Sequence, residues 1–309
     1  MINLEPQAAQ SDAVVTAGAA PIGVFDSGLG GLSVWREIVR HFPHENTLYF
    51  GDQGHVPYGP RSLEEIRAFS RAITEFLLEL GAKLIVVACN TASGAALHHL
   101  RDVYPQTPFV GMEPAVKPAA ERSNSGAIGV LATPTTFQGA LFQRLADRFG
   151  QQVTIHTQIC PGLVEAIEAG ARNAIETRRL LETCLAPLTE HGIDQLVLGC
   201  THYPFLRDTI ETILGPAVTV IDPAPAVAVQ VGRVLRSHGA LNACDSPGSH
   251  LLYTSGSPAG MREMARTLLG YAEPVAAAHW YGFRLEAAPL HGTEETAVSE
   301  KAAVPGDVA

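Results

Sequence analysis

The chain has no Cys-x-x-Cys pair, no run of lysine and arginine, and no apolar stretch long enough to cross a bilayer. A spanning helix needs about 20 apolar residues, so no membrane association is expected. Phosphate-backbone binders carry a basic stripe. The net charge here is −10, so nucleic acid is not an expected partner. Residues 1–20 lack a basic start and a continuous apolar core, which speaks against a secretory signal. Five cysteines form an odd set, and without an export signal they read as reduced thiols in a cytoplasmic protein. His41 and His44 flank a helix end, and His98 and His99 point to different helix faces. None belongs to a recognisable ligand set, so no metal is expected.

What is present is a soluble globular composition, with 46% hydrophobic and 17% charged residues in 309, enough for two domains. The two halves resemble each other. Leu84–Ala88 leads to Cys89-Asn90-Thr91, and Leu196–Gly199 leads to Cys200-Thr201-His202. Pro21–Ser27 likewise resembles Ala127–Thr133. Ile22 to Cys89 is 67 residues and Ile128 to Cys200 is 72. A duplicated unit with one thiol per copy at a strand end suggests a site between two lobes, one cysteine on each side.

Apolar runs at Ile22–Phe25, Thr47–Phe50, Leu84–Ala88, Phe109–Val110, Ala127–Leu131, Gln195–Gly199, Val218–Ile221 and Leu251–Ser255 read as strands, and Gln152–Gln158 alternates like one. Helices are expected over Leu32–His41, from Ser62 to about Leu80, and over Ala92–Val103, Thr135–Phe149, Cys160–Gly170, Asn173–Ala186, Pro204–Leu214, Pro223–His238 and Pro258–Leu269. Ser62 with Glu65 makes a capping box, and Gly81 a stop. Alternating strands and helices imply an α/β fold of two doubly wound parallel-sheet lobes, with the active site in the interdomain cleft at the carboxyl ends of the strands. Lobe one takes residues 21–113 plus 222–285 and lobe two 114–221. Residues 1–20 are expected to be a disordered extension and 286–309 a loose tail.

Cys89 and Cys200 each follow a strand and precede a helix, where the positive helix end lowers a thiol pKa towards neutrality. Buried cysteines are common core residues, but two at matched places favour function. Asp26-Ser27-Gly28-Leu29-Gly30-Gly31 follows the first strand and lacks the Gly-x-Gly-x-x-Gly spacing of a dinucleotide loop. Asp26 is therefore weighed as a proton handler or ammonium partner and Ser27 as a donor to a carboxylate, beside the plainer reading of a solvated turn. Asn90, Thr91 and Thr201 suit carboxylate binding or helix capping. His202 is a candidate acid or base beside Cys200. Cys160, Cys184 and Cys244 have no matched partners and are assigned to packing.

Together, Val24–Val34, Gly51-Asp52 with Pro57-Tyr58-Gly59, Ala88–Ser93 and Gly199–Pro204 resemble the cofactor-independent Asp/Glu racemases, and glutamate racemases in particular, over about residues 21–285. The resemblance implies interconversion of L- and D-glutamate with no cofactor, supplying D-glutamate for peptidoglycan and hence cell-wall biogenesis and cell shape. It implies that Cys89 handles the α-proton of the D-enantiomer and Cys200 that of the L-enantiomer, with Asp26 assisting Cys89 and His202 assisting Cys200. A further acidic helper follows a Cys-Pro segment, which points to Glu168, with Glu165 as the alternative. Substrate contacts would come from Asp26, Ser27, Tyr58, Gly59, Asn90, Thr91, Thr201 and His202. Family behaviour implies a homodimer, and some members contact a DNA-processing enzyme as regulators. The competing readings are a racemase or decarboxylase of the same fold acting on aspartate or another small acid, and a cysteine hydrolase using Cys200 and His202.

Overall fold

The computed structural model describes residues 18–270 and 274–288. The chain opens with β1 (Ile22–Asp26), α1 (Leu32–His41), β2 (Thr47–Gly51), α2 (Leu63–Glu79), β3 (Leu84–Val87), α3 (Asn90–Val103) and β4 (Phe109–Gly111). It continues through α4 (Val116–Arg122), β5 (Ala127–Ala132), α5 (Pro134–Gln138), α6 (Ala140–Phe149), β6 (Thr154–Gln158), α7 (Leu163–Glu168), α8 (Ile175–Glu190) and β7 (Gln195–Gly199). A 3-10 turn (Tyr203–Leu206) leads into α9 (Arg207–Leu214) and β8 (Thr219–Ile221). Last come α10 (Ala224–Ser237), β9 (His250–Thr254), α11 (Pro258–Leu269), β10 (Val275–Tyr281) and β11 (Arg284–Ala287).

These strands form two sheets, ordered β11-β10-β9-β2-β1-β3-β4 and β6-β5-β7-β8. The stretch β2-β1-β3-β4 of the first repeats the order of the whole second sheet, the structural counterpart of the internal sequence repeat. β1 pairs in parallel with β2 and β3, and β5 with β6 and β7. The inner strands β1, β2, β3 and β7 are buried along their whole length. That follows from short β-branched and apolar runs covered by helices on both faces, as parallel sheets require. Each sheet has a core cluster on either side: Ile22, Leu32, Trp35 and Val231 on one face of the first sheet, Phe50, Ile73, Phe76 and Leu100 on the other.

The capping box at α2 forms in full: Glu65 N–H donates to Ser62 Oγ at 3.2 Å and Ser62 N–H donates back to the Glu65 carboxylate at 3.0 Å. Other expectations need correction. The helix expected over residues 135–149 is two helices, because Gly139 has extended backbone (φ −66°, ψ 136°) between them. The helix expected from Pro204 starts as a 3-10 turn. The sequence reading missed α4, β10 and β11. β11 pairs antiparallel with β10, so the first sheet is not wholly parallel. β11 also runs to Ala287, inside the segment expected to be a loose tail. Residues 18–20 are likewise held: Lys83 Nζ donates to Gly18 O at 2.5 Å and Asn46 Nδ2 to Ala19 O at 2.7 Å. The expected disorder of residues 1–17 and looseness of 289–309 lie outside the described residues.

The cysteine assignment also fails. Cys160 and Cys184 form a disulfide that ties the segment before α7 to α8. Residues 24 apart with no recognisable spacing gave no sign of it. Cys244 is exposed rather than packed. Among the described residues no helix is long and apolar enough to cross a membrane.

Removal of the α2 cap tests the local account. Ser62→Ala is expected to lower stability by about 1 kcal/mol, read by denaturant melts.

Candidate active site

Parallel strands end at one edge of their sheet, and there the two sheets face one cavity of about 200 Å³. It is smaller than the ~300–1,000 Å³ usual for drug-sized ligands and suits a small metabolite. Cys89 and Cys200 both line it, with Ser27, Tyr58, Gly59, Asn90, Thr91, Thr201 and His202. Cys89 follows β3 of the first sheet and Cys200 follows β7 of the second.

Cys89 is the N-cap of α3, its sulfur accepting from Ala92 N–H at 3.4 Å and donating towards Ser27 Oγ at 3.8 Å. The expectation of a lowered thiol pKa is overturned. Burial pushes Cys89 well above the usual thiol value, the Asp26 charge adds to this, and the amide of Ala92 opposes it without winning. Full desolvation outweighs one helix terminus. Cys200 has no such cap, since a turn and the 3-10 segment separate it from α9.

The partner of Cys200 is His202, whose Nδ1 lies 3.7 Å from the sulfur. Its Nε2 meets Glu168 Oε1 at 2.6 Å. Burial works against a charged imidazole here, but the hydrogen bonds to Cys200 and Glu168 and the charge of Glu168 outweigh it, holding the His202 pKa well above its usual value. Conversely, burial raises Glu168, but His202, the Leu29 amide and Gln53 together bring it below the ordinary carboxylate value. The Leu29 N–H donates to Oε1 at 2.6 Å and Gln53 Nε2 to Oε2 at 3.0 Å. Of the two candidate acidic helpers, then, Glu168 reaches His202, while Glu165 lies on the cavity wall.

Asp26 is fully buried beneath the glycine turn and does not border the cavity. Its carboxylate accepts from Gly31 N–H at 2.9 Å, Gly28 N–H at 3.2 Å and Thr201 Oγ1 at 3.3 Å. Burial raises its pKa, and the nearby His202 charge counteracts only part of that. The glycines are needed for contact between the two halves rather than for a solvated turn. A β-carbon at Gly28 would run into the Glu168 carboxylate, and one at Gly30 into Thr201 and His202.

The polar lining is mostly spoken for. Tyr58 Oη donates to Asp52 at 2.6 Å, Thr91 Oγ1 shares a 2.9 Å hydrogen bond with Thr133, and the Gly59 carbonyl accepts from Thr135. Asn90 is the exception: its side chain is buried at the cavity and neither Oδ1 nor Nδ2 has a protein partner. A buried amide left unpaired is costly, so Asn90 is arranged for a ligand with both donor and acceptor groups. Among the described residues, no group of three His, Cys, Asp or Glu could hold a metal ion, and no lysine lines the cavity.

Thr133 was missed. It lines the cavity, and the internal repeat already sets it opposite Ser27, the signal that could have singled it out. Ile159, Cys160 and Pro161 form another wall with no sequence signal of their own.

A sequence model described as Asp/Glu/Hydantoin racemase matches residues 22–231. The chain belongs to this family. It is 49% identical over 261 residues to a glutamate racemase of Pseudomonas paraeruginosa, covering 84% of this chain and 98% of the relative. A crystal structure of a glutamate racemase isoform from Bacillus anthracis superposes with a TM-score of 0.76 at 36% identity, covering 84% of this chain and 97% of that one. Escherichia coli glutamate racemase in complex with L-glutamate and the activator UDP-MurNAc-Ala gives 0.74 at 29% identity, covering 87% and 100%.

The His202–Glu168 pair has a pH signature. A raised histidine stabilises the fold fully below the unfolded histidine value and loses that as pH rises through the folded pKa. A depressed glutamate stabilises fully above its unfolded value and loses that as pH falls through the folded pKa. Both contributions are complete only between about 4.3 and 6.5. Glu168→Gln is expected to cost about 2 kcal/mol in that window, and less at more acid or more alkaline pH, in melts compared with the wild type. The His202 midpoint, followed by NMR, falls in the same variant.

Proposed function

We propose that this protein interconverts L- and D-glutamate without a cofactor by two-thiol α-proton transfer. The observation that carries the reading is two cysteines, one from the end of each sheet, bordering one small cavity. Racemisation takes a proton from one face of Cα and returns one to the other. Two groups on opposite sides remove the need for a single base to cross the substrate plane.

In this reading Cys200 removes the α-proton of L-glutamate while Cys89 delivers one to the other face, and D-glutamate is handled in reverse. His202, charged and held by Glu168, is the counter-ion for negative charge on Cys200. Asp26 acts on Cys89 from beneath the glycine turn, keeping that thiol strongly basic once it is deprotonated. Asn90, with Ser27, Thr91, Thr201, Tyr58 and Gly59 around it, holds the substrate's carboxylate and ammonium groups. Burial of the groups around the cavity strengthens these interactions in the transition state.

The wider setting belongs to the same proposal. In this reading the chain divides into lobes of residues 21–113 plus 222–287 and 114–221, the first extended past 285 to take in β11. The enzyme acts in the cytoplasm as a homodimer, provides D-glutamate for peptidoglycan, and its acidic surface suits a protein regulator better than DNA. One observation favours a second reading: Cys200, His202 and Glu168 stand in the order nucleophile, base and orienting acid of a cysteine hydrolase. That reading leaves Cys89 without a role, and trapping of an acyl-enzyme would favour it.

Cys89→Ala and Cys200→Ala are each expected to lower turnover from both pure L- and pure D-glutamate by about 100- to 10,000-fold. Wild-type rates from either enantiomer would remove that cysteine from the mechanism. In D2O the product should acquire deuterium at Cα, and product that keeps only its original hydrogen rules out exchange through a thiol. Asn90→Ala is expected to raise KM for both enantiomers, checked by initial rates.

A further inference from the structure

We propose that Gln53 is a positioning residue for the Cys200 side of the cleft: its amide, oriented by Thr254, holds the Glu168 carboxylate in place against His202. Gln53 stands on the loop after β2, in the first half of the molecule, while Glu168, His202 and Cys200 belong to the second. Its Nε2 donates to Glu168 Oε2 at 3.0 Å, leaving Oε1 to His202 and the Leu29 amide.

The amide's orientation is fixed from both ends. Thr254, fully buried at the end of β9, donates its one hydroxyl proton to Gln53 Oε1 at 2.9 Å and accepts from Gly256 N–H at 3.0 Å. A flipped amide would turn its carbonyl oxygen on the Glu168 carboxylate, so the amino group faces Glu168. Gly256 makes room for this, since a β-carbon there would approach Gln53 Cβ to 2.8 Å. A relay therefore runs from Thr254 through Gln53, Glu168 and His202 to Cys200, and it is continuous only while the two halves stay in contact at Glu168.

The titratable groups acting on Glu168 are His202 from the loop after β7, Asp26 from β1 and Tyr49 from β2. Gln53 and the Leu29 amide are the neutral donors beside them. Its loss leaves the carboxylate with fewer donors and raises the pH at which Glu168 takes up a proton.

The kinetic part of this inference rests on the racemase reading, and the structural part does not. Two measurements on the full chain separate them: the side-chain carboxyl 13C titration of Glu168, and the pH profile of kcat/KM for glutamate. In Gln53→Leu the Glu168 midpoint and the acid limb of the profile should move up together by about one pH unit, the shift expected from losing a hydrogen bond to a charged group. Q53E should move both further, because a second carboxylate then faces the first. T254V, which frees the amide without removing it, should move both less, and it keeps the test open if the Gln53 variants do not fold. Unmoved midpoint and limb in Q53L or T254V overturn the proposal, as does a rate lowered equally at every pH, which marks a merely structural role. Wild-type protein without turnover overturns the racemase reading alone, and the carboxyl midpoint then still decides the role of Gln53.

Discussion

A carboxylate taken out of water must be met by donors or it takes up a proton instead, and Glu168 is met from both halves of the molecule. The Leu29 amide and Gln53 approach from the first half and the His202 ring from the second. The position of His202, the closeness of Thr201 to Asp26, and the absence of side chains at Gly28 and Gly30 all answer to that one contact. A side chain at either glycine would hold the two halves apart and strand the carboxylate. The same group thus joins the halves and supports the charge beside Cys200.

Burial sets the remaining electrostatics. Cys89, Tyr49 and Tyr58 are all pushed well above their ordinary pKa values, with loss of water the largest cause in each. Asp26 moves up for the same reason. An unassisted amino-acid α-carbon is a poor acid, so a base that takes its proton must itself hold protons tightly. A thiol lodged in a dry cleft near a buried carboxylate meets that requirement better than one whose pKa a helix terminus has brought down. The second thiol has a different neighbour, a histidine with its own carboxylate, so the two sides of the cavity are chemically unequal although their backbones repeat.

Most strands and the two cysteines were legible in the sequence because they depend on local pattern: short apolar runs, two of them followed by a small residue and a thiol. The capping box at Ser62 and Glu65 was legible for the same reason. What could not be read depends on distant pairings. The Cys160–Cys184 disulfide joins the segment before α7 to α8, whose approach only the fold decides. The expected drop in the Cys89 pKa was a correct statement about helix termini applied without knowing how completely the site is desolvated. Glu165 and Glu168 lie three apart on one short helix, and only the position of His202 separates them. β10 and β11 escaped because alanine-rich Val275–Ala278 lacks the β-branched runs of the other strands.

The path of the chain between the sheets carries a mechanical consequence. It leaves the first sheet after β4, builds the whole second sheet, and returns after β8, so two covalent crossings join the halves. Glu113, Pro114 and Ala115 on the outward crossing and Pro223 on the return border the same surface groove. Two crossings side by side behave like the paired pins of a door: rotation about the line through them is soft, whereas sliding and separation stretch the backbone. The second sheet is thus inserted as one continuous stretch into the chain of the first, and its only backbone links to that sheet are these two crossings.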